Sequence, residues 1–212
     1  MSKDLSNYRK SYLKGELIEN ELPSDPIKLF SDWFNNVESS GQEIEPNAMS
    51  LSSINKKGLP NTRIVLLKKF NSKGFVFYTN FNSRKGKSMS LNPDVCLSFY
   101  WSSAEKQVII NGKASKVSDK ESDIYFNSRP VGSQLGAIIS NQSETIPNRK
   151  FLENKMKKFK LSNDKLLRPN NWGGYIVKPY NIEFWQGRDN RLHDRILFEK
   201  KNKTWSIRRL SP

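Results

Sequence analysis

Residues 62–79, TRIVLLKKFNSKGFVFYT, contain two runs rich in aliphatic, β-branched and aromatic residues on either side of a polar turn. The turn, FNSKG at 70–74, supplies Asn, Ser and Gly, which favour turns over strands. Two such runs joined by a short turn are typical of a β-hairpin. The stretch therefore predicts strands at 62–69 and 75–79, and the rest of the fold is built around them.

Further strands of similar length follow at short intervals on both sides of this hairpin. The pattern predicts them at 48–54, 95–101, 107–117, 174–177, 182–185, 195–199 and 204–209. Short strands joined by hairpin turns favour an antiparallel sheet that closes into a barrel.

Helices are predicted where apolar residues recur at helical spacing or a capping side chain precedes the run. The first helix begins at 24–26 and ends at 39–41. Further helices are predicted at 84–91, 118–127, 133–140 and 148–160. The sequence therefore predicts an α+β protein, a β-barrel with flanking helices, in a single domain over residues 24–212. Residues 1–23 are polar and predict a partly ordered N-terminal arm.

The bulk composition limits the class of protein. One cysteine in 212 residues excludes an internal disulfide bond and a cysteine-based zinc site, and we expect no metal. No apolar stretch approaches the ~20 residues that a membrane span needs, and the N-terminus has no apolar signal core. These observations predict a cytoplasmic protein without a membrane partner.

The formal net charge of +15 attracts anions such as nucleic acid, an anionic membrane or phosphorylated small molecules. Much of the lysine is scattered in turns, for example NKKG at 55–58 and KKNK at 200–203. A nucleic-acid-binding domain, the non-enzymatic alternative, would place its cations along one continuous face with aromatic residues between them. The separate basic motifs of this chain instead favour a small phosphorylated ligand, and we expect no nucleic acid partner.

The segment SRKGK at 83–87 places cations at a predicted helix start. Ser83 has the character of an N-cap, so Arg84 and Lys85 fall in the first turn, where cations oppose the helix dipole. An anion bound at the free N–H groups of the helix end would compensate for this. An ordinary basic helix start is the alternative interpretation.

Two further cations, Arg63 and Lys68, bracket the apolar run IVLL at 64–67. Because side chains alternate along a strand, the two cations should face opposite sides unless a bulge intervenes. Cations in an apolar strand are costly to bury unless they are paired, and a phosphorylated ligand is one way to pair them.

A third basic cluster is YFNSRP at 125–130, followed by Ser133. Tyr125, Arg129 and Ser133 recur at a spacing of four, which brings Tyr125 and Arg129 together on one helical face. The three side chains suit a phosphate, since the Arg fork can bind two oxygens at once. The alternative is a surface helix that ends at Pro130.

The only histidine of the chain, His193, lies in the segment RLHDR at 191–195, shortly after FWQG at 184–187. Strand-like alternation would put Arg191, His193 and Arg195 on one side of an extended segment. Asp194 would then face the other way and act as a salt-bridge partner. A polar hairpin turn is the alternative interpretation.

Taken in order, these segments resemble the pyridoxamine 5′-phosphate oxidase family over about residues 45–212, and more weakly over 9–12. The matching motifs are RIVLLK at 63–68, FYTN at 77–80, SRK at 83–85, Gln107, YFxSRPxxSQ at 125–134, QS at 142–143, WGG at 172–174, FWQGxxxRLHDR at 184–195 and RLSP at 209–212. Each motif is weak alone, but their shared order is specific.

The resemblance implies an FMN-binding split β-barrel, antiparallel and Greek-key-like, that forms a homodimer with FMN at the subunit interface. The implied FMN contacts are Arg63, Ile64, Val65, Leu66, Leu67, Lys68, Tyr78, Thr79, Arg84, Lys85, Gln107, Gln142, Ser143, Trp185 and Arg195. The implied substrate contacts are Arg9, Tyr12, Lys68, Tyr125, Arg129, Ser133, Arg191, Leu192 and His193. Arg191 and His193 are the implied catalytic residues.

The resemblance also implies a reaction, the FMN-dependent oxidation of pyridoxamine 5′-phosphate and pyridoxine 5′-phosphate to pyridoxal 5′-phosphate. Hydride would pass from the C4′ carbon to flavin N5, and O2 would accept the electrons to give H2O2, with NH3 released from the amine. Such an enzyme serves vitamin B6 cofactor biosynthesis or salvage. Another split-barrel flavoprotein, such as a flavin reductase, is the alternative, and the substrate-side set of Tyr125, Arg129 and Ser133 argues against it.

Overall fold

The computed structural model describes residues 2–8, 10–162 and 165–212 of the chain. Its helices are α1 (Pro26–Ser40), α2 (Arg84–Leu91), α3 (Asp119–Ser128), α4 (Val131–Ile139) and α5 (Arg149–Leu161), with 3₁₀ turns at Glu19–Glu21 and Asp189–Arg191. Its strands are β1 (Ala48–Ile54), β2 (Pro60–Leu66), β3 (Lys69–Asn71), β4 (Gly74–Asn80), β5 (Asp94–Trp101), β6 (Lys106–Lys116), β7 (Trp172–Gln186), β8 (Asp194–Lys201) and β9 (Thr204–Leu210). Among these residues no helix is both long and apolar enough to cross a lipid bilayer.

The described strands pair in the order β2-β1-β5-β6-β7-β4-β3, and β8 and β9 extend the sheet from β7. The pairings of β3 with β4, β4 with β7, β7 with β8 and β8 with β9 are antiparallel. In the hairpin of β3 and β4, Lys69 lies opposite Val76 and Asn71 lies opposite Gly74. The predicted α+β class, an antiparallel sheet with flanking helices, is confirmed.

The chain divides into two compact units. The first contains the described residues up to Met49 together with Leu97–Asn111 and Pro179–Pro212. The second contains Ser50–Cys96 and the described part of Gly112–Lys178. The single domain expected over 24–212 and the partly ordered arm expected over 1–23 stay predictions.

In the first unit, α1 packs its apolar face against aromatic residues of the sheet. Asp25 caps the helix through its side chain, and Gly41 ends it with a left-handed backbone, as the sequence predicts. The Trp33 ring packs edge-on against Phe184 of β7, with 5.2 Å between ring centroids. This contact anchors the end of β7, where Trp185 follows directly.

In the second unit, β4 and α2 are joined by a tight and capped turn. β4 ends at Asn80, and the Ser83 hydroxyl accepts a hydrogen bond from Gly86 N at 3.3 Å. The predicted bounds of α2 and its serine cap are confirmed. The turn places Arg84 and Lys85 directly after the end of a buried strand.

β7 is longer than the sequence pattern predicts. The sequence predicts two separate strands here, at 174–177 and 182–185. In the structure, residues 172–177 pair with β4 and residues 181–186 pair with β8. Pro179 lies between these two ladders, so one strand continues through it.

The predicted strand at 62–69 is wrong in its extent. β2 ends at Leu66, and the chain enters β3 at Lys69. β2 stands at one end of the strand order and β3 at the other, so Leu67 and Lys68 carry the chain from one edge of the sheet to the other. A continuous apolar run does not reveal such a change of partner strand.

Candidate active site

A cavity of about 590 Å³ opens in the second unit. Side chains from β2, β4, α2, α3, α4 and the start of β7 line it. The predicted site residues on its wall are Ile64, Val65, Leu66, Lys68, Tyr78, Thr79, Lys85, Tyr125, Arg129, Ser133 and Gln142. The cavity thus brings together residues predicted for the cofactor and residues predicted for the substrate.

Four predicted FMN contacts of the same unit are not part of this lining: Arg63, Leu67, Arg84 and Ser143. The Arg63 guanidinium donates to Ser53 Oγ at 2.9 Å and to two backbone carbonyls. Arg84 N donates to Ser143 Oγ at 3.2 Å, which ties the start of α2 to the segment after α4. Lys68 lines the cavity and Arg63 does not, but Lys68 lies beyond the end of β2, so strand alternation does not relate the two side chains.

Lys85 buries its ammonium group in the cavity wall, with only 7% of the residue exposed. Its Nζ donates to Thr79 Oγ1 at 3.0 Å and to Gln142 Oε1 at 3.1 Å, which are neutral acceptors. No carboxylate pairs with it among the described residues. Burial, and then the charge of Arg63, lowers the pKa of Lys85 to about 8. Because a buried cation without a counter-charge is unfavourable, this corner of the cavity is suited to an anion.

The start of α2 adds to the positive potential at this corner. Ser83 caps the helix, so Arg84 and Lys85 occupy the first turn, at the positive end of the helix dipole. Such a helix end, with two cations in its first turn, is suited to a compact anion. The residues present therefore fit the phosphate group of FMN.

Three aromatic rings form one wall of the cavity. Tyr78 and Tyr125 stack with 3.8 Å between ring centroids, and Trp172 stacks on them at 5.8 and 6.2 Å. Burial, followed by the charges of Glu121 and Tyr125, raises the pKa of Tyr78 to about 12. Burial also raises the pKa of Tyr125, so both phenols remain protonated at neutral pH. A flat aromatic wall next to cations suits a planar ligand that carries an anionic group.

Arg129 presents an unsatisfied guanidinium to the same cavity. Its Cζ lies 4.6 Å from the centroid of the Trp172 ring. Its Nη1 is buried and has no hydrogen-bond partner within the described part of the chain. Tyr125 and Ser133 line the cavity with it, so the structure groups the three side chains that the spacing of four singles out.

In the first unit, three rings meet where the N-terminal arm passes the end of β7. Tyr12 lies edge-on to Trp185 and to His193, with 5.7 Å between centroids in both cases. Trp185 and His193 lie 4.8 Å apart. These three predicted site residues are brought together, whereas Arg9, the other predicted arm residue, lies outside the described residues.

His193 uses its Nδ1 atom as a hydrogen-bond acceptor. The donor is Arg188 N, at 3.1 Å. A ring nitrogen that accepts a hydrogen bond carries no proton, so the neutral imidazole holds its proton on Nε2. The backbone amide therefore selects the tautomer and leaves Nε2–H as a donor.

The prediction that Arg191, His193 and Arg195 share one side of an extended segment is wrong. Asp189–Arg191 is a 3₁₀ turn in which Asn190 and Arg191 have left-handed φ values of 54° and 61°. The chain must reverse here because β7 and β8 are antiparallel neighbours. The backbone is the hairpin turn of the alternative interpretation, and the regular alternation of side chains begins only in β8.

Asp194 is a salt-bridge partner, as predicted. Its Oδ2 lies 3.4 Å from Arg188 Nη1, and its Oδ1 lies 2.6 Å from Arg209 Nη1. Leu17 N, in the arm, donates to Oδ2 at 3.1 Å. The network joins the arm and β9 to the turn that carries His193.

Three other predicted contacts lie in the first unit. Arg195 Nε pairs with Glu183 Oε1 at 2.7 Å. Gln107 Nε2 donates to Ser98 Oγ at 3.2 Å. Leu192 is exposed at the surface. The first two therefore have polar partners within the unit.

Trp172 lines the cavity, although the sequence pattern did not single it out as a site residue. It forms the surface on which Arg129 lies. The signal in the sequence is the pair Gly173 and Gly174 that follows it. A Cβ atom at Gly174 would lie 2.8 Å from the Tyr78 ring, so this strand must approach the cavity wall closely.

Two family models match the chain. Residues 41–163 match the model described as pyridoxamine 5′-phosphate oxidase, and residues 172–212 match that of the pyridoxine 5′-phosphate oxidase C-terminal dimerisation region. The chain belongs to the pyridoxamine 5′-phosphate oxidase family. It is 57% identical over 211 residues to a pyridoxine/pyridoxamine 5′-phosphate oxidase of Flavobacterium johnsoniae, covering 98% of this chain and 99% of that protein. It is 55% identical over 213 residues to the enzyme of the same name from Flavobacterium psychrophilum, covering 99% and 100%.

Solved structures share the fold. PhzG from Burkholderia lata, solved in complex with tetrahydrophenazine-1-carboxylic acid, superposes with a TM-score of 0.86 at 26% identity, over 92% of this chain and 98% of that one. A pyridoxamine 5′-phosphate oxidase-related, FMN binding protein from Nostoc punctiforme superposes with a TM-score of 0.72 at 14% identity, over 90% and 100%. The expected split β-barrel fold and the expected class of enzyme, an oxidoreductase of this family, are confirmed.

We predict that Lys85→Met stabilises the ligand-free protein by ~1–3 kcal/mol at neutral pH, because it removes a buried charge that has no counter-ion. Thr79 Oγ1 still donates to Gln142 Oε1 at 3.2 Å, so both acceptors keep a partner. The measurement is the free energy of unfolding in urea. Lys87→Met, on the exposed side of the same helix, is the matched control and should change it by less than ~0.5 kcal/mol.

The gain from Lys85→Met should also depend on pH. The folded-state pKa of about 8 lies below the ordinary value of 10.5, so the unfolded chain binds the extra proton between these two values. The free energy of unfolding of the wild type should therefore rise across this interval relative to that of the variant. The stability difference in favour of Lys85→Met should shrink by the same amount. A constant difference between variant and wild type from neutral pH to the alkaline limit would contradict the assignment.

We predict that His193 is held as the Nε2–H tautomer. Since the chain has one histidine, a long-range ¹H–¹⁵N spectrum of labelled protein contains a single imidazole. In the neutral ring, Nε2 should be protonated and Nδ1 should not. Arg188→Ala keeps the backbone N–H and should leave this pattern unchanged. A protonated Nδ1 in wild type would show that the hydrogen bond from Arg188 N is absent in solution.

Proposed function

We propose that the protein catalyses the FMN-dependent oxidation of pyridoxamine 5′-phosphate and pyridoxine 5′-phosphate to pyridoxal 5′-phosphate. O2 is the acceptor and yields H2O2, and the amine substrate also yields NH3. The observation that carries the proposal is that one cavity holds two separate cationic groups, Lys85 and Arg129, for which the described residues supply no carboxylate partner. One group suits the phosphate of a cofactor and the other suits the phosphate of a substrate.

The cofactor phosphate is assigned to the corner at the start of α2. Lys85 is buried there, the charge of Arg63 acts on it, and Arg84 precedes it in the first turn of α2. Bound FMN supplies the two-electron acceptor for hydride from the C4′ carbon of the substrate. The further FMN contacts are assigned from the family resemblance: Ile64, Val65, Leu66, Leu67, Lys68, Tyr78, Thr79, Gln107, Gln142, Ser143, Trp185 and Arg195.

The substrate phosphate is assigned to Lys68, Tyr125, Arg129 and Ser133. Arg129 Nη1 has no hydrogen-bond partner among the described residues, and a phosphate oxygen would supply one. A guanidinium donates to phosphate through charge-assisted bonds, which are about twice as strong as neutral ones. Trp172 supports the guanidinium from the side, and Tyr125 donates through its protonated phenol.

The reacting end of the substrate is assigned to Arg191 and His193, with Arg9, Tyr12 and Leu192 covering it. The Nε2–H group of His193 donates to the amine or alcohol at C4′ and positions it. Arg191 lies in the exposed turn, and its planar guanidinium orients and polarises the substrate. Tyr12 packs edge-on against His193 and so limits the access of water to it.

We further propose a cytoplasmic homodimer with FMN at the subunit interface. The match of residues 172–212 to a C-terminal dimerisation region supports the dimer. Five of the assigned residues lie in that region: Trp185, Arg191, Leu192, His193 and Arg195. Neither a metal nor a nucleic acid is part of the proposal.

We predict that the FMN-loaded protein releases H2O2 and forms pyridoxal 5′-phosphate from each phosphorylated vitamer under air. Arg129→Met should raise KM for both substrates by about tenfold to a hundredfold, because a charge-assisted contact to phosphate is lost. The activity with unphosphorylated pyridoxamine should not change, since that substrate has no phosphate to bind. Arg149→Met, which alters an exposed arginine of α5, is the matched control and should leave KM unchanged.

The alternatives give different results. A flavin reductase of the same fold would bind FMN and oxidise a reduced nicotinamide cofactor, but would release no pyridoxal 5′-phosphate. A nucleic-acid-binding domain would neither retain FMN nor form the aldehyde. Equal KM values for wild type and Arg129→Met would contradict the assigned position of the substrate phosphate while leaving the reaction itself intact.

A further inference from the structure

The loop between β5 and β6 presents a buried carboxylate to the N-terminal arm. Glu105 is 2% exposed, and its Oε2 accepts hydrogen bonds from Leu13 N at 2.8 Å and Lys14 N at 3.0 Å. Its Oε1 lies 3.4 Å from Lys10 Nζ. One side chain thus binds consecutive N–H groups of the arm directly after Tyr12.

The backbone of the same residue binds the end of β7. Glu105 O accepts hydrogen bonds from Gly187 N at 2.8 Å and from Gln186 Nε2 at 3.1 Å. A Cβ atom at Gly187 would lie 2.7 Å from the Tyr12 ring, so the arm and the end of β7 are in close contact. Glu105 therefore joins the two segments that carry Tyr12 and Trp185.

The conformation and charge of Glu105 agree with a dedicated role. Its φ of 56° is left-handed, which is uncommon for a residue with a side chain and must be held by its surroundings. Burial alone would raise the pKa of its carboxyl group, but the arm N–H groups and Lys10 outweigh burial and lower it. The group is therefore an anion at neutral pH, and paired backbone N–H groups are natural donors to an anion.

We infer that Glu105 is a positioning residue that latches the N-terminal arm and so holds Tyr12 against Trp185 and His193. The inference rests on the proposed function, in which these rings cover the substrate. A second anchor lies further along the arm, where Leu17 N donates to Asp194. Tyr12 lies at the Glu105 end of the arm, directly before the two N–H groups that Glu105 binds.

Hydrogen exchange of the arm tests the latch without any substrate. In Glu105→Gln, a neutral amide replaces the charged acceptor at nearly the same volume. We expect the Leu13 and Lys14 amides to exchange about tenfold faster or more, because a neutral amide oxygen accepts a hydrogen bond more weakly than a carboxylate does. Exchange in α1 should remain at the wild-type rate.

The matched control is Glu43→Gln. Glu43 accepts a hydrogen bond from Ser103 N at 2.7 Å in the same loop but has no contact with the arm among the described residues. The Glu43→Gln substitution should leave the hydrogen exchange of the arm amides unchanged. If Glu105→Gln fails to fold, Leu13→Pro removes one donated N–H from the arm side instead, and the Lys14 amide should again exchange faster.

A double-mutant cycle separates positioning from general support. Glu105→Gln should raise KM by about tenfold with little change in kcat, and this increase should vanish when Tyr12 is already alanine. A residue that only supports the fold would give effects that add.

The results that would contradict the latch differ from those that would contradict the proposed function. Wild-type exchange of the arm in Glu105→Gln, or additive effects with Tyr12→Ala, would overturn the latch. Faster exchange throughout the first unit would also overturn it, because Glu105 would then be a general structural residue. A wild-type enzyme that forms no pyridoxal 5′-phosphate would overturn the proposed function instead, since the exchange experiment does not depend on activity.

Discussion

The buried ammonium group of Lys85, without a carboxylate partner among the described residues, is the constraint on which the site depends. A compact turn holds it in place: β4 ends at Asn80, Ser83 caps α2, and the first helical turn delivers the side chain into the cavity wall. The chain accepts an unfavourable charge that hydrophobic packing would avoid. Such a charge is retained where a bound anion compensates for it. A trade-off of this kind, in which a group lowers the stability of the fold but serves binding, is common at functional sites.

The second cationic group of the cavity, the guanidinium of Arg129, is also suited to a bound anion. Arg129 stacks on Trp172, and its Nη1 atom has no hydrogen-bond partner in the part of the chain that the structure describes. The rings of Tyr78 and Tyr125 complete the wall on which it lies. Together the two groups make a cavity for anionic, planar molecules, which agrees with the chemistry of the family to which the chain belongs.

Much of this was visible in the sequence, because the features concerned are local. The cap at Ser83 and the spacing of Tyr125, Arg129 and Ser133 depend on residues within one or two turns. The sequence-based predictions failed, or missed a contact, where the backbone geometry or the pairing depends on residues that are far apart in the sequence. Arg191 lies in a left-handed turn imposed by the pairing of β7 with β8, and the arm contacts of Glu105 join segments that are 91 and 92 residues apart. No local pattern reports such contacts.

The central claim is that Lys85 and its neighbours bind the phosphate of the cofactor. Calorimetric titration of apoprotein with FMN and with riboflavin, which lacks the phosphate, tests it most directly. Wild type should bind FMN far more tightly than riboflavin, and Lys85→Met should lose at least about tenfold of that preference while its affinity for riboflavin stays the same. A Lys85→Met protein that keeps the full preference for FMN would contradict the account.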